Sequence, residues 1–365
     1  MPGKPVRMWS VRGPWVAVVM MAMASLSARD ALAQAGAVRL GDPVPRDVRE
    51  IYDAGCRYLA RTQDPSGTWK GDNDGPGITG MGLMVFLASG DDPNYGNYRE
   101  PIRRAVRSII RSQNEGTGYF GGNRQQGQSS MYHHGFAMLA LAEAYGVVDE
   151  RDLWTEDRST GKGRLIGESL ERAVTLAATS AAANPTGAWR YTPESRDADT
   201  SVSGAVMMGL LGARNAGIEV PDATIDKAIK YFTASTAASG LVGYAGPQGG
   251  SDATTSIGTL VLSIAHRKDL PQYKRAAEYL VPRSLANQPP QGHVSYTRYY
   301  RAQALLQAEP DVWRKWNDGL VQELKKKRLP DGSFPPEPGD GAVSGTCLTL
   351  LALAVNYRFL PIYER

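Results

Sequence analysis

Two kinds of apolar segment alternate along the chain. In the first kind, apolar residues recur every three or four positions, as on one face of a helix. Val48, Ile51, Gly55, Tyr58 and Leu59 follow this spacing, as do Ile102, Ala105, Val106, Ile109 and Ile110. So do Ile166, Leu170, Ala173, Val174 and Ala177; Ile225, Ile229 and Phe232; and Val312, Trp316, Leu320 and Leu324. In the second kind nearly every position is apolar or small: Thr79–Ala88, Met131–Tyr145, Val202–Leu211, Asp252–Ile264, Tyr296–Ala308 and Val343–Val355. A helix that is apolar all round has to be buried, whereas an amphipathic helix keeps one side in water. Gly-rich loops join each amphipathic segment to the apolar one that follows, with Gly90, Gly146 and Gly217 as stops.

Six such hairpins follow one another, the fifth opening with Tyr273–Leu285, at a period of roughly 40–55 residues. One hairpin cannot bury its apolar helix alone, so neighbours must stack on it. The asymmetry between the two helix kinds predicts two concentric layers, an all-α, α/α6 toroid with the apolar helices inside. Tyr357–Arg365 reads as a closing strap.

Composition adds a destination. Residues 1–33 have a basic start (Lys4, Arg7, Arg12), a short apolar core (Trp15–Met23) and the small-x-small end Ala31-Leu32-Ala33. This is the pattern of a secretory signal peptide, with residues 34–365 as the toroid domain. The alternative, a membrane anchor, needs a run of ~20 apolar residues, longer than this one. The protein is therefore expected to be exported, periplasmic or extracellular after cleavage near Ala33, with no stable transmembrane helix in the mature chain. The formal charge of +4 falls to +1 without the leader, because Lys4, Arg7, Arg12, Arg29 and Asp30 leave with it. That balance gives no footprint for nucleic acid. Cys56 and Cys347 stand at opposite ends of the chain, as a disulfide or as two small buried hydrophobes.

In the first hairpin, Tyr58-Leu59-x3-Gln63-x3-Gly67-x-Trp69 resembles the QW motif of squalene and terpene cyclases. Gln113 with Gly116, Gly118 and Phe120 resembles a degenerate copy, and Gly187-x-Trp189 and Gly332-x-Phe334 keep the motif's end. The repeats span the chain after residue 33. It resembles the squalene-cyclase/prenyltransferase toroid superfamily, in an exported single-domain branch. The resemblance implies the same α/α toroid.

In such a ring the inner helices run in one direction, and their N-termini gather on one rim with unpaired N–H groups. Thr79, Tyr132, His133, His134, Asp197, Asp199, Thr200, Asp252, Thr254, Thr255, Tyr296, Arg298 and Ser344 are due there. Asp197-Ala198-Asp199-Thr200 resembles the D-x-D-D acid motif of class II terpene cyclases, with Thr200 where the third aspartate belongs. The resemblance gives Asp199 the role of general acid, beside Asp197. A buried acid near another carboxylate stays protonated, which is what alkene protonation requires. Asp199 is equally an N-cap residue type. His133-His134 reads as acid–base or ligand contact, or as packing at a helix start.

A zinc site of the prenyltransferase kind lacks its residues: Cys347 has Gly345 and Cys56 has Ala54 where an Asp would stand. Asp72, Asp74, Asp91 and Asp92 read as turn residues, not a calcium loop. No metal and no cofactor is expected.

Three readings remain. The first is a module holding an apolar or extended ligand, or a protein partner, at the rim. The second is a terpene-cyclase-like isomerase with Asp199 as acid. The third is a glycan hydrolase or lyase with Asp197, Asp199 and Asp252 as paired carboxylates and Trp69, Trp189, Tyr191 and Tyr296 as aromatic platforms. Ligand contacts are expected from Tyr132, His133, His134, Trp189, Tyr191, Asp252, Tyr296 and Arg298.

Overall fold

The computed structural model describes residues 44–70, 75–121, 130–154, 163–286, 290, 292–337 and 341–363. The leader read at 1–33, together with Asp72 and Asp74, lies outside the described residues. Among the described residues twelve α-helices follow in order. They are α1 (Arg46–Thr62), α2 (Pro76–Leu87), α3 (Arg99–Ser112), α4 (Ser130–Ala144), α5 (Ile166–Ala183) and α6 (Thr200–Asn215). Then come α7 (Asp222–Ala234), α8 (Asp252–Ile264), α9 (Pro271–Leu285), α10 (Val294–Ala308), α11 (Pro310–Lys327) and α12 (Ala342–Ala354).

The even-numbered helices are the apolar ones. Each packs on the next even helix, from α2 through α12, and α12 packs back on α2. The inner ring is thereby closed. The odd-numbered helices lie outside it, with α3 on α5, α5 on α7, α9 on α11, and α11 returning to α1. This is the α/α6 toroid that the alternation predicts. The inner helices approach closely because small residues face one another. Gly80 of α2 lies on the Phe136 carbonyl of α4, Gly135 of α4 on the Ala205 backbone of α6, and Gly204 of α6 on Ile257 of α8. A side chain at any of these positions forces two inner helices apart.

The recurring loop residues explain how one hairpin is tied to the next. Gln63 follows α1, and its Nε2 donates to the carbonyls of Gly67 (3.1 Å) and Pro101 (3.0 Å), the latter on α3. Gln113 does the same one hairpin on, to Gly118 and to Ser169 of α5, both at 2.8 Å. The Trp69 indole donates back to the Leu59 carbonyl, and the Trp189 indole to that of Ala177. Gly67 (φ 91°) sits directly on the Arg104 carbonyl, and Gly332 (φ 96°) on that of Ala54. Both conformations lie where a Cβ is disfavoured, and neither site has room for one. Gly332 on Ala54 joins the sixth hairpin to the first. Arg61 Nη2 to the Asp331 carbonyl (3.0 Å) and Lys325 to Asp47 (2.8 Å) complete the seam.

Helices α4 and α10 face each other across the bore. Tyr132 meets Tyr296 with ring centroids 6.4 Å apart, and Phe136 meets Tyr299 at 6.0 Å. The members of each pair lie within one residue of the same depth from their helix starts, so the two helices run parallel. The aromatic contacts span the bore beneath the rim.

At the other end the chain's last residues cross the ring. Tyr357 packs on Tyr52 of α1, Phe359 on Gly90 after α2, and the short turn Pro361–Tyr363 reaches α6. Leu360 and Ile362 are buried, as a strap over an apolar mouth requires. Cys56 and Cys347 are buried free thiols on the first and last helices. Burial pushes both thiols up, Cys347 to about 12. No helix among the described residues is long and apolar enough to cross a membrane.

Candidate functional site

Asp199 is the N-cap of α6, and its Oδ1 accepts from the Val202 N–H at 2.8 Å. Its own N–H donates to the Trp189 carbonyl (3.1 Å), closing the loop 190–198 over the rim. Ser203 reinforces this closure from α6, with its hydroxyl donating to the Trp189 carbonyl and accepting from the Trp189 N–H, both at 3.0 Å. The carboxyl is completely buried, and its Oδ2 has no hydrogen-bond partner among the described residues. Burial pushes it above the ordinary aspartate value. The Val202 N–H, Arg190, the Ser201 N–H and the Tyr244 hydroxyl pull the other way without cancelling it. The arrangement is a buried carboxyl with Oδ1 held at the helix start and Oδ2 left without a hydrogen-bond partner among the described residues, the Tyr244 hydroxyl being near.

The residues around it come from four elements. Tyr132 lies on α4, Tyr231 on α7, Tyr244 in the loop before α8, and Arg190 and Tyr191 in the closed loop. Thr200 explains the Tyr244 position. Its hydroxyl donates to the Gly243 carbonyl (2.6 Å) and its N–H to the Tyr244 carbonyl (2.7 Å). An ionised aspartate at 200 has no hydroxyl to donate, so the residue that departs from D-x-D-D is the one that holds the tyrosine loop. Tyr191 and Tyr244 join hydroxyl to hydroxyl at 2.7 Å. Tyr296 of α10 reaches across to the Ser201 carbonyl at 3.5 Å.

The other rim residues are placed as follows. Asp197 is not beside Asp199: its carboxylate is 68% exposed and pairs with Arg190 at 3.1 Å. His133 is buried against Gly75 and Gly77, and its Nδ1 accepts from the Gly77 N–H at 3.3 Å. His134 turns outward between α4 and α5. Its Nδ1 accepts from the Phe120 N–H (3.2 Å), so Nε2 carries the hydrogen and donates to the Ala173 carbonyl (3.1 Å). Burial lowers this imidazole to about 4, which keeps it neutral. Trp189 is buried, so its ring is no open platform for a sugar.

Asp252 opens α8 and bridges Arg301 (2.5 Å) and Arg283 (3.4 Å). Arg298 is buried and bonds Glu323 of α11 at 2.6 Å. These pairs tie inner helices to the outer layer, apart from the Asp199 group. The rim residues that the structure brings together are therefore Asp199, Tyr132, Tyr191 and Tyr296, with Arg190 and Tyr244 added. Among the described residues no three His, Cys, Asp or Glu side chains gather as metal ligands. Asp91 and Asp92 accept backbone N–H groups of Tyr98, Asn94 and Tyr95, as turn residues do.

Solved structures share this architecture. Type II terpene cyclase MstE from Scytonema aligns over 86% of this chain and 99% of its own, at TM-score 0.59 and 17% identity. The fold is terpene cyclase-like. A variant of that terpene cyclase, in complex with its substrate geranylgeranyl dihydroxybenzoate, aligns over 87% of this chain and 98% of its own, at TM-score 0.58 and 15% identity. A protein from Actinoplanes aligns over 84% and 98%, at TM-score 0.54 and 12% identity. These identities make the likeness one of fold. The near-complete coverage shows that a single ring of this size is the size of that terpene cyclase chain. No family model and no curated protein matches the sequence.

Proposed function

We propose that the rim binds an extended, apolar isoprenoid and that Asp199 protonates it, starting an isomerisation or cyclisation. The observation that carries this reading is the Oδ2 of the buried Asp199, which has no hydrogen-bond partner among the described residues. Capping accounts for Oδ1 alone, and an unpaired buried oxygen costs about 1–3 kcal/mol unless something uses it. The Oδ2 proton adds to a terminal alkene, leaving a carbocation and a carboxylate. A proton lost from the product later restores the acid, so substrate and product are isomers. The solved cyclase in complex with a geranylgeranyl compound supports the substrate class. The leader pattern at residues 1–33 supports export, and N-terminal sequencing of the exported protein is expected to begin at Gln34.

The test is deuterium transfer. Purified protein in D2O is given linear C20 and C30 isoprenoids, and recovered ligand is weighed by mass spectrometry. A product one mass unit heavier, absent with Asp199→Asn, supports the reading. Ligand recovered unlabelled from both forms overturns it. A second reading, a holder without turnover, is favoured by the aromatic contacts of α4 and α10, which occupy the bore where a folded terpenoid is expected to lie. That reading predicts bound isoprenoid without deuterium.

A further inference from the structure

Asp197 and Asp199 are two residues apart, yet they do different things. The guanidinium of Arg190 acts on both, in contact with Asp197 and as a nearby charge on Asp199. It stacks over the rings of Tyr191 (5.2 Å) and Tyr244 (5.8 Å), whose hydroxyls are joined to each other. Two stacked rings hold a planar cation in one place. The Asp199 N–H to Trp189 carbonyl bond brings residue 190 beside Asp199. Arg190 therefore favours the ionised form of Asp199. The backbone of Asp197 is fixed: its carbonyl, with that of Ser195, accepts from the Asn184 amide at 2.9 Å. Its carboxylate meets Arg190 Nη1 at 3.1 Å.

We infer that Asp197 is a positioning residue, which pairs with Arg190 and draws its charge away from Asp199, leaving Asp199 a carboxylic acid. This rests on the reading of Asp199 as the proton donor. The other titratable groups facing Asp199 are phenols: Tyr132 from α4, Tyr231 from α7, and Tyr244 from the loop before α8. Burial raises all three, so they stay neutral through the range where a carboxyl titrates. Arg190 and Asp197 are the charged pair that sets the balance. Two aspartates at this spacing thus divide the work, one holding the proton and the other compensating a cation.

The experiment reads Asp199 directly. The carbonyl stretch of its protonated form is isolated as the infrared difference between each protein and the same protein carrying Asp199→Asn, and followed against pH. Asp197→Asn is expected to lower the Asp199 midpoint by about half a unit, the size of a partly exposed ion pair. Arg190→Gln is expected to raise it. In the Arg190→Gln background, Asp197→Asn is expected to do nothing, because the cation through which it acts is gone. A midpoint unmoved by Asp197→Asn, or moved equally in both backgrounds, overturns the inference. The measurement needs no turnover, so a failure of the deuterium assay leaves its outcome distinct.

Discussion

Asp199 and Glu143 are carboxyls buried at opposite ends of the same ring, and their surroundings differ. Asp199 stands at a helix N-terminus, where backbone N–H groups and the helix dipole favour negative charge. Arg190 and a tyrosine hydroxyl are also close. Glu143 stands in the last turn of α4, where the dipole disfavours charge. One N–H, that of Ile362 in the closing strap, supports it, and its Oε2 has no hydrogen-bond partner among the described residues. Burial drives Glu143 up to about 8. Burial alone therefore neutralises a carboxyl, and the helix end decides how easily it ionises again. An acid that must give up a proton and recover it belongs at the N-terminal rim; a carboxyl at the far mouth serves as a neutral hydrogen-bonding group.

The largest expected effect follows from Glu143. Its folded value lies above its unfolded one of about 4.5, so the folded state holds the proton more tightly. Stability from this group is complete below pH 4.5 and is lost as pH rises to about 8, by up to about 5 kcal/mol. Denaturant titrations of Glu143→Gln at pH 5 and pH 8.5 are expected to remove this loss. A variant with the wild-type slope breaks the contrast between the two ends, because the far carboxyl is then already ionised or solvated.

His134 sharpens the comparison from the other end of α4. Its folded value of about 4 lies below the ordinary 6.5, so the unfolded chain binds the proton more tightly. Its contribution is present above pH 6.5 and fades as pH falls to about 4. One inner helix thus carries a base that fails in acid and an acid that fails in alkali, which predicts a maximum of stability between them. His134→Leu is expected to cost about 3 kcal/mol at pH 7, since it leaves the Phe120 N–H and the Ala173 carbonyl unpaired. It is also expected to flatten the acid limb. A flat acid limb in the wild type refutes this.

The architecture was legible because burial is written in the helix pattern. All-round apolar segments became the inner ring, and amphipathic ones the outer layer. Helix starts moved by up to three residues where Pro or a cap intervened, as at Pro76 and Thr200. Asp199 could be read as a cap from its type and position. The partners of Asp199 could not, since Arg190 and Tyr244 meet it through loop packing that has no period. The histidines show the same limit: spacing puts both at the rim, but neighbouring backbone groups decide which way each ring turns. Glu143 does leave a signal in the sequence, a lone acid inside the apolar run Ala137–Ala144.

Trp189 tests how firmly the rim is held. Its indole N–H reaches the Ala177 carbonyl at 3.0 Å and anchors the loop that carries Arg190. Trp189→Phe is expected to cost about 1 kcal/mol by thermal denaturation. It is also expected to loosen Arg190 and so shift the Asp199 infrared midpoint. The far mouth does not depend on this loop, so the alkaline limb set by Glu143 is expected to stay in place. A change in both at once means that the two ends are coupled through the ring.

The smallest expected effect on stability is at Asp199 itself. Asparagine caps a helix as well as aspartate does, so Asp199→Asn is expected to keep stability within about 0.5 kcal/mol. Asp199→Ala loses the Val202 bond and is expected to cost about 1 kcal/mol. Deuterium transfer, in contrast, is expected to disappear in both, because neither amide nor methyl can protonate an alkene. The separation between a near-silent stability change and a complete loss of transfer is what marks an oxygen kept for chemistry. A loss of several kcal/mol in Asp199→Asn points the other way. It means that the free oxygen has a structural partner when the protein is in solution, and that the two buried carboxyls differ in degree and not in kind.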